Sequence, residues 1–530
     1  MKTPLTPLRC LERAMDLFAG NVGVVCGDKR FTYGEFGERC RRLAAGLRER
    51  GIEPGDRVAF LSLNTHMLLE GYFGVPLAQA ILLPLNVRLT PAELAGILND
   101  SGARMLFFEP DFAPLVEALR PQCPALETLA ALSETAAAPA DAAYEELIGS
   151  ASPVEVDLDQ VDENAVAELF YTSGSTGKPK GVMLSHRTLY LHSLALYTVY
   201  QQVETMVNLH TIPLFHANGW GHPHTSTYFG VKQVMVRKFD PPEVLRLIEE
   251  HRATDMYLVP VMANMLLQCP DLGKRDVSSL RRIMIGGAPS SPALIERMEK
   301  AFGCGVYSGY GLTETCPILA AAIPKPGLQF ASDAERYRKQ AMTGWPLIGN
   351  RVRVVDNAGN AVPADGKTIG EIVVHGDHVM EGYWNDPEAT AEVMRGGWLH
   401  TGDMAVWDAD GYIQIVDRKK EIIISGGENV SSVEIENAIL AHPKVLEVAV
   451  VAAPDEKWGE VPAAIIVPKP GEGLTAEEVR GLLEGTLARF KIPKHIEFRT
   501  EPLPRTGTGK IRKLELKQKF WEGRDKQVQG

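Results

Sequence analysis

The sequence predicts an α/β fold built from more than one domain. Three observations carry that prediction. Helical and strand patterns alternate along most of the chain, 530 residues exceed what a single hydrophobic core organises, and the texture changes twice toward the C-terminus. "YGEFGERCRRLAAGLRERG" (33–51) sets apolar residues at helical spacing and stops on glycine, and "DRVAFLSLN" behind it reads as a strand. The longest apolar stretch, "GYFGVPLAQAILLPLNV" (71–87), holds two prolines and a glutamine, which suits a buried helix and strand better than a membrane span. Helix-then-strand returns in "PAELAGILNDSGARMLFFE" and in "PEVLRLIEEHRATDMYLVP" (242–260), so parallel sheets covered by helices are expected. The Ala-rich segment 128–145 reads as a surface excursion. From about residue 344 shorter β-rich pieces such as "RVRVVDNAGNAVP" and "GYIQIVDRKK" take over. Behind the charged run Asp417-Arg418-Lys419-Lys420, residues 421–530 hold strands and amphipathic helices, the pattern of a small α/β domain after a charged hinge.

Composition narrows the function. Hydrophobic residues make up 45% and charged residues 23%, ordinary for a soluble globular protein. A net charge of −12 argues against a general nucleic-acid binder, so an anionic ligand has to be held by local basic groups. The seven cysteines are scattered without a C-x-x-C pair, which suits a reducing cytoplasm better than a disulfide scaffold or a zinc site. Prolines and charges in "MKTPLTPLRCLERAMDLF" leave no room for the apolar region of a signal peptide, and a cytoplasmic location is expected.

The chemistry concentrates in small-residue turns behind apolar runs. In "LFYTSGSTGKPKGVMLSH" (169–186) the run ends at Thr172 and gives way to Ser173, Gly174, Ser175, Thr176 and Gly177, with Lys178 and Lys180 adding positive charge. Glycines let backbone N–H groups face an anion, and hydroxyls can donate to phosphate oxygens. The stretch is not a Walker A loop, which needs glycine where Thr172 stands and a hydroxyl where Pro179 stands. A Gly/Ser linker is the bland alternative. Further clusters follow: "IMIGGAPSS" (283–291), "GYGLTET" (309–315), "GWLHTGD" (397–403), "IIISGGEN" (422–429) and "PRTGTGKIRK" (504–513). Singly, each is an ordinary turn.

In this order and spacing the set resembles the adenylate-forming superfamily: acyl- and aryl-CoA synthetases, firefly-type luciferases and peptide-synthetase adenylation domains. The resemblance runs from about residue 12 to residue 515. It implies a large N-terminal domain (1–417) of two α/β subdomains and a β-barrel, a hinge at 418–420, and a small mobile C-terminal domain (421–530). It also implies roles. The loop from Thr172 to Lys180 would hold the β- and γ-phosphates of ATP. Tyr310 would stack on adenine beside Gly311, while Gly286, Gly287 and Ala288 would line the base and acyl pocket. Thr313 matches a hydroxyl on the α-phosphate and Glu314 a ligand of Mg²⁺, a hard ion commonly held by one or two carboxylates plus phosphate and water. Asp403 matches the acid that accepts from the ribose diol, and Arg418 the arginine near ribose and phosphate. Lys510 resembles the lysine that stabilises charge building between the attacking carboxylate and the α-phosphate. Lys420 falls on the hinge, and Gly426 and Gly427 on a turn that would line the CoA path.

The acid itself is addressed by "IPLFHANGWGHPH" (212–224), where His216 stands beside the substrate carboxylate position. Three histidines in nine residues fit no zinc spacing, so His222 and His224 read as packing or surface residues. No aspartate lies between Leu209 and Phe229 to pair a substrate ammonium, which disfavours amino acids. The "FHxNxW" form with Trp220 resembles the fatty-acyl branch, where a tryptophan gates an apolar tunnel, although Trp220 reads equally well as core. The resulting expectation is an acyl-CoA synthetase of fatty acid metabolism. It would use ATP, Mg²⁺ and CoA on a fatty acid of short to long chain, with no nucleic-acid partner and a homodimer admitted. The alternatives are an aryl-CoA synthetase, a ligase that loads a carrier-protein thiol, and an inactive nucleotide-binding homologue.

Overall fold

A computed structural model describes residues 2–172, 179–426, 428–484, 486–505 and 511–522. The chain forms two compact units, one of residues 1–352 with 374–399 and one of residues 353–373 with 400–530.

The larger unit is built on two sheets. In the first, eight strands run in the order Gly382–Tyr383, Lys180–Ser185, Val166–Thr172, Ile81–Pro84, Arg57–Leu61, Met105–Phe108, Thr128–Ala131 and Ala142–Ala143. The strands from 166–172 through 142–143 pair in parallel, and the two at the other edge pair antiparallel. Strands Ile81–Pro84 and Met105–Phe108 are buried at every position, which is why they read as unbroken apolar runs without alternation. The helices between them start where hydroxyl caps predict. Thr32 accepts from the Glu35 N–H while the Glu35 carboxylate accepts from the Thr32 N–H, opening helix Tyr33–Glu49, and Thr90 with Glu93 does the same for Pro91–Ser101. The 71–87 stretch is the expected buried helix, His66–Leu77, followed by strand Ile81–Pro84. Only the middle of the 128–145 stretch, exposed at Glu134–Ala138, is a surface excursion. Thr128–Ala131 and Ala142–Ala143 are the last two strands of this sheet with Leu129, Ala130, Ala142 and Ala143 buried, and alanine's weak strand preference conceals them in the sequence.

The second sheet has nine strands in the order Trp345–Pro346, Ile318–Ala321, Gly305–Gly311, Arg282–Ile285, Asp255–Leu258, Val207–His210, Lys232–Met235, Val22–Cys26 and Lys29–Thr32. Its middle strands are parallel and its edges antiparallel. Helices Pro241–His251 and Pro292–Phe302 cover one face through Val244, Leu245, Ile248, Ile295 and Met298.

In the smaller unit, Ile413–Arg418 pairs antiparallel with the far half of Trp398–Trp407. A second sheet pairs Val445–Asp455 with Gly459–Pro468 over ten residues, with His495–Phe498 parallel on its other side. Helices Ser432–Leu440 and Ala476–Glu484 pack on one face around Ile435, Ile439, Val479 and Leu483. Helix Lys513–Trp521 places Leu516 on the other. The whole is mixed α/β with a large N-terminal part and a smaller C-terminal one, as expected. Among the described residues no helix is long and apolar enough to cross a membrane.

Candidate active site

Strands Val166–Thr172 and Lys180–Ser185 pair antiparallel up to Thr172 opposite Lys180. Ser173, Gly174, Ser175, Thr176, Gly177 and Lys178 lie outside the described residues. The short strand Gly382–Tyr383 docks on the same hairpin, with Tyr383 opposite Val182. This brings three side chains together. The Lys180 ammonium sits 5.0 Å above the Tyr383 ring, and the Tyr383 hydroxyl donates to Glu314 Oε1 at 2.9 Å. Burial first, and then the Glu314 carboxylate, push the phenol well above its ordinary range, so Tyr383 stays a donor.

The other motif segments meet for a topological reason. Val207–His210, Asp255–Leu258, Arg282–Ile285 and Gly305–Gly311 are neighbouring parallel strands, so the segments leaving their C-terminal ends emerge on one side of the sheet. That edge is where open α/β sheets bind ligands. His216 and Trp220 follow the first strand; Gly286, Gly287 and Ala288 follow the third; Tyr310 and Gly311 end the fourth, with Thr313 and Glu314 in the 3₁₀ turn Thr313–Thr315 behind them. Contact across the segments is direct. A Cβ on Gly286 would lie 3.0 Å from both the Trp220 ring and the Gly309 carbonyl. Gly311 is small for another reason: a side chain there would collide with the Pro317 carbonyl. Tyr310 is half-buried opposite Ala320, Thr313 is buried, and Gly287 and Ala288 are exposed.

Trp220 is carried on an unusual backbone. Ala217, Asn218, Gly219, Trp220 and Gly221 all have positive φ, from 41° to 78°, a left-handed turn of which three members are not glycine. L-residues resist this conformation by about 1–2 kcal/mol each, so the surroundings have to hold it. They do. Asn64 donates to the carbonyls of His210 and Ile212 and accepts from the Leu214 N–H, and the Tyr72 hydroxyl donates to the Leu214 carbonyl. The Asn218 amide donates to the Cys316 carbonyl at 3.4 Å. Trp220 itself is buried in a cluster with Leu196, Tyr257 and Met284. His216 is half-buried, whereas His222 and His224 are fully buried. His222 stacks on Tyr257 at 3.6 Å, and burial holds its pKa well below the ordinary value.

In the smaller unit Asp403 faces Arg418 across the ladder, and Arg418 Nε meets Asp403 Oδ1 at 2.7 Å. Asp403 is buried, while Arg418 is half-exposed and Lys420 exposed. Gly426 adopts a φ of 61° and gives its N–H to the Trp458 carbonyl. Gly427 and Lys510 lie outside the described residues.

Among the described residues no cluster of three or more His, Cys, Asp and Glu side chains is placed to hold a metal ion. Glu314 is therefore compatible with Mg²⁺ held chiefly by phosphate and water, its Oε1 already oriented by Tyr383. Sequence reasoning missed Tyr383, Asn64, Tyr72 and Tyr257. Tyr383 stands in "GYWNDPEAT", whose polar and turn residues give no periodic signal, and only strand pairing brings it to Glu314.

The His216–Trp220, Gly286–Ala288 and Tyr310–Glu314 segments thus leave one sheet on one side, and the relatives of the chain say what class of protein this is. Residues 11–384 match the AMP-binding enzyme family and residues 434–510 its C-terminal domain. A long-chain-fatty-acid–CoA ligase of Thermus thermophilus is 41% identical, covering 96% of this chain and 94% of its own length. A 4-hydroxybutyrate–CoA ligase of Metallosphaera sedula is 37% identical over 97% and 94%, and a feruloyl-CoA synthase of an Amycolatopsis species 39% over 93% and 95%. Among solved structures, ATP-bound MatB from Rhodopseudomonas palustris superposes with a TM-score of 0.87 at 29% identity, covering 98% of this chain and 99% of its own. The chain belongs to the AMP-binding enzyme family. Within it, the protein is an ATP-dependent, AMP-forming acyl-CoA synthetase.

Proposed function

We propose that the protein joins a fatty acid of short to long chain to CoA in the cytoplasm by two half-reactions at one centre. In the first, the carboxylate attacks the α-phosphorus of ATP and pyrophosphate leaves; in the second, the CoA thiol attacks the acyl carbon and AMP leaves. The residues divide the work. The 172–180 loop grips the β- and γ-phosphates, Thr313 donates to the α-phosphate, and Glu314 holds Mg²⁺, which would screen phosphate charge. Tyr310 stacks on adenine beside Gly311, with Gly287 and Ala288 along the base. Asp403 accepts from the ribose diol with Arg418 next to it, and Lys510 neutralises charge on the pentavalent phosphorus. His216 and Trp220 border the acid. Rotation about Lys420 then exchanges Lys510 for the Gly426-Gly427 turn along the CoA path.

The observation that carries this reading is the convergence of the His216–Trp220, Gly286–Ala288 and Tyr310–Glu314 segments at the ends of parallel strands of one sheet, with Trp220 against Gly286. The named relatives act on acids as different as long-chain fatty, 4-hydroxybutyric and ferulic acid, so they support the reaction more strongly than any one acid. The test is a panel of carboxylic acids, from short and long aliphatic to hydroxylated and aromatic, with pyrophosphate release measured with and without CoA. Turnover that depends on CoA and peaks on aliphatic acids is expected. An enzyme that stalls at the adenylate with CoA but turns over with a carrier-protein thiol overturns the acceptor, and background release across the panel overturns acid activation.

A further inference from the structure

The left-handed turn that carries Trp220 is followed at once by helix His222–Tyr228, whose first turn brings His224 to the eight-stranded sheet. There it meets Glu168, on the strand that runs into the 173–178 segment. Glu168 is 0% and His224 1% exposed, and Glu168 Oε1 lies 3.2 Å from His224 Nε2.

The chemistry of this contact is constrained. The Tyr72 backbone carbonyl lies by the His224 ring and Nε2 has no partner, so a neutral ring with its hydrogen on Nδ1 leaves Nε2 as an acceptor. A carboxylate is acceptor-only as well. Neither carboxyl oxygen of Glu168, nor Nε2 of His224, has a partner in good hydrogen-bonding geometry among the described residues, and the Asn218 amide is the donor nearest the carboxyl. Two orphan acceptors therefore face each other in a site closed to water, which is costly unless a proton lies between them. The surroundings favour keeping that proton on oxygen. Among the described residues no lysine or arginine forms an ion pair with Glu168. The groups around the pair are neutral or repel added positive charge: Tyr72 and Phe73 edge-on to the imidazole, Cys316 and the Asn218 amide near the carboxyl, and His186 and His192 beyond. Burial lifts the Glu168 carboxyl well above its usual range against the opposing Asn218 amide, and burial holds His224 down at about 3.

We propose that Glu168 is a positioning residue of the acid-activating site, kept as the neutral acid so that its O–H donates to His224 Nε2 and locks the left-handed turn bearing His216 and Trp220. One buried proton thereby ties the phosphate-loop strand to the turn that borders the acid. Asn218, inside that turn, extends the tie to Cys316 behind Glu314. Neutrality is essential to the design, because a neutral donor fixes geometry without placing a charge beside the acid's apolar portion. The inference rests on the acid-activation reading for its catalytic consequence, but the protonation state does not.

Glu168→Gln keeps shape and a donor, whereas Glu168→Ala removes both. On the unliganded protein, wild-type minus Glu168→Gln infrared difference spectra should contain a protonated-carboxyl C=O band. In turnover, Glu168→Gln should stay within about threefold of wild type with a superimposable pH profile. Glu168→Ala should raise KM for the acid about tenfold, with KM for ATP within about twofold, the scale of one buried unpaired polar group. The proposal is overturned if the carboxyl band is absent, if Glu168→Gln is as impaired as Glu168→Ala, or if Glu168→Ala shifts both KM values together with the melting temperature. A wild type inactive on every acid sinks acid activation instead, and the infrared comparison then decides the protonation claim by itself.

Discussion

Tyr383 shows how much a single side chain does here that no motif announces. Its ring lies under the Lys180 ammonium and its hydroxyl orients the Glu314 carboxylate. Tyr383→Phe keeps the ring and removes the donor. A hydrogen bond to a charged group contributes roughly 1.5–3 kcal/mol, so kcat/KM for ATP should fall at least about tenfold, with more Mg²⁺ needed for half-maximal rate. A Mg²⁺ titration of pyrophosphate release reads both, and an unchanged Mg²⁺ requirement would detach Tyr383 from the metal. A second residue-level consequence concerns acid. Burial depresses His186, His210 and His378 to about 4 and His224 to about 3. In the unfolded chain they titrate at about 6.5, so between about pH 6.5 and 4 the unfolded state binds more protons. The contribution of these four histidines is then complete above about 6.5 and declines as pH falls, which urea melts at stepped pH should reveal as a falling midpoint on the acid side. At this scale Tyr310 and Glu314 are legible in the sequence because each sits in a short fixed cluster. Glu168 and Tyr383 are not, because their partners are 56 and 69 residues away and only tertiary packing joins them.

Elements are legible where local chemistry decides them. The capping boxes of Thr32 and Thr90 mark two helix starts to the residue, and the buried parallel strands announce themselves as short apolar runs. The 217–221 turn is hidden, since nothing in "ANGWG" apart from its two glycines signals five left-handed residues in succession. Two glycine substitutions separate a turn that tertiary packing dictates from a helix that propensity dictates. Gly221 has a φ of 78°, and a Cβ there would lie 2.6 Å from the His192 ring. Gly221→Ala should cost about 2–4 kcal/mol from the left-handed penalty and the clash together, and should weaken acid binding by moving Trp220. Gly96, exposed in helix Pro91–Ser101 with no atom within 4 Å of the place an alanine methyl would take, is the opposite case. Gly96→Ala should stabilise by about 0.5–1 kcal/mol and leave turnover alone. Thermal melts of the pair should move in opposite directions, and a neutral Gly221→Ala would mean the turn is not held by its surroundings.

At the scale of the whole molecule, the helix-strand alternation reveals the class of fold but not the strand order. Nothing local states that strand 282–285 lies between 255–258 and 305–311, yet that order brings the Gly286–Ala288 and Tyr310–Glu314 segments to one edge. Motif order along the chain supplied what periodicity could not. The division of labour between the larger unit and the C-terminal segment makes the sharpest whole-molecule prediction, because one lysine is assigned to only one of the two half-reactions. If Lys510 acts on the pentavalent phosphorus, its cation is needed only while negative charge builds during adenylation. Loss of one such electrostatic contact slows a reaction about 10²–10³-fold. Lys510→Ala should therefore lower acid-dependent pyrophosphate release by that factor, while thioester formation from supplied acyl-adenylate and CoA stays within about threefold of wild type, since the adenylate already carries the bond that Lys510 helps to make. Measuring both half-reactions on the same preparation controls for misfolding, which would depress them together. Equal losses would assign Lys510 to structure or to a step shared by both halves, and no loss in either would remove it from the chemistry altogether.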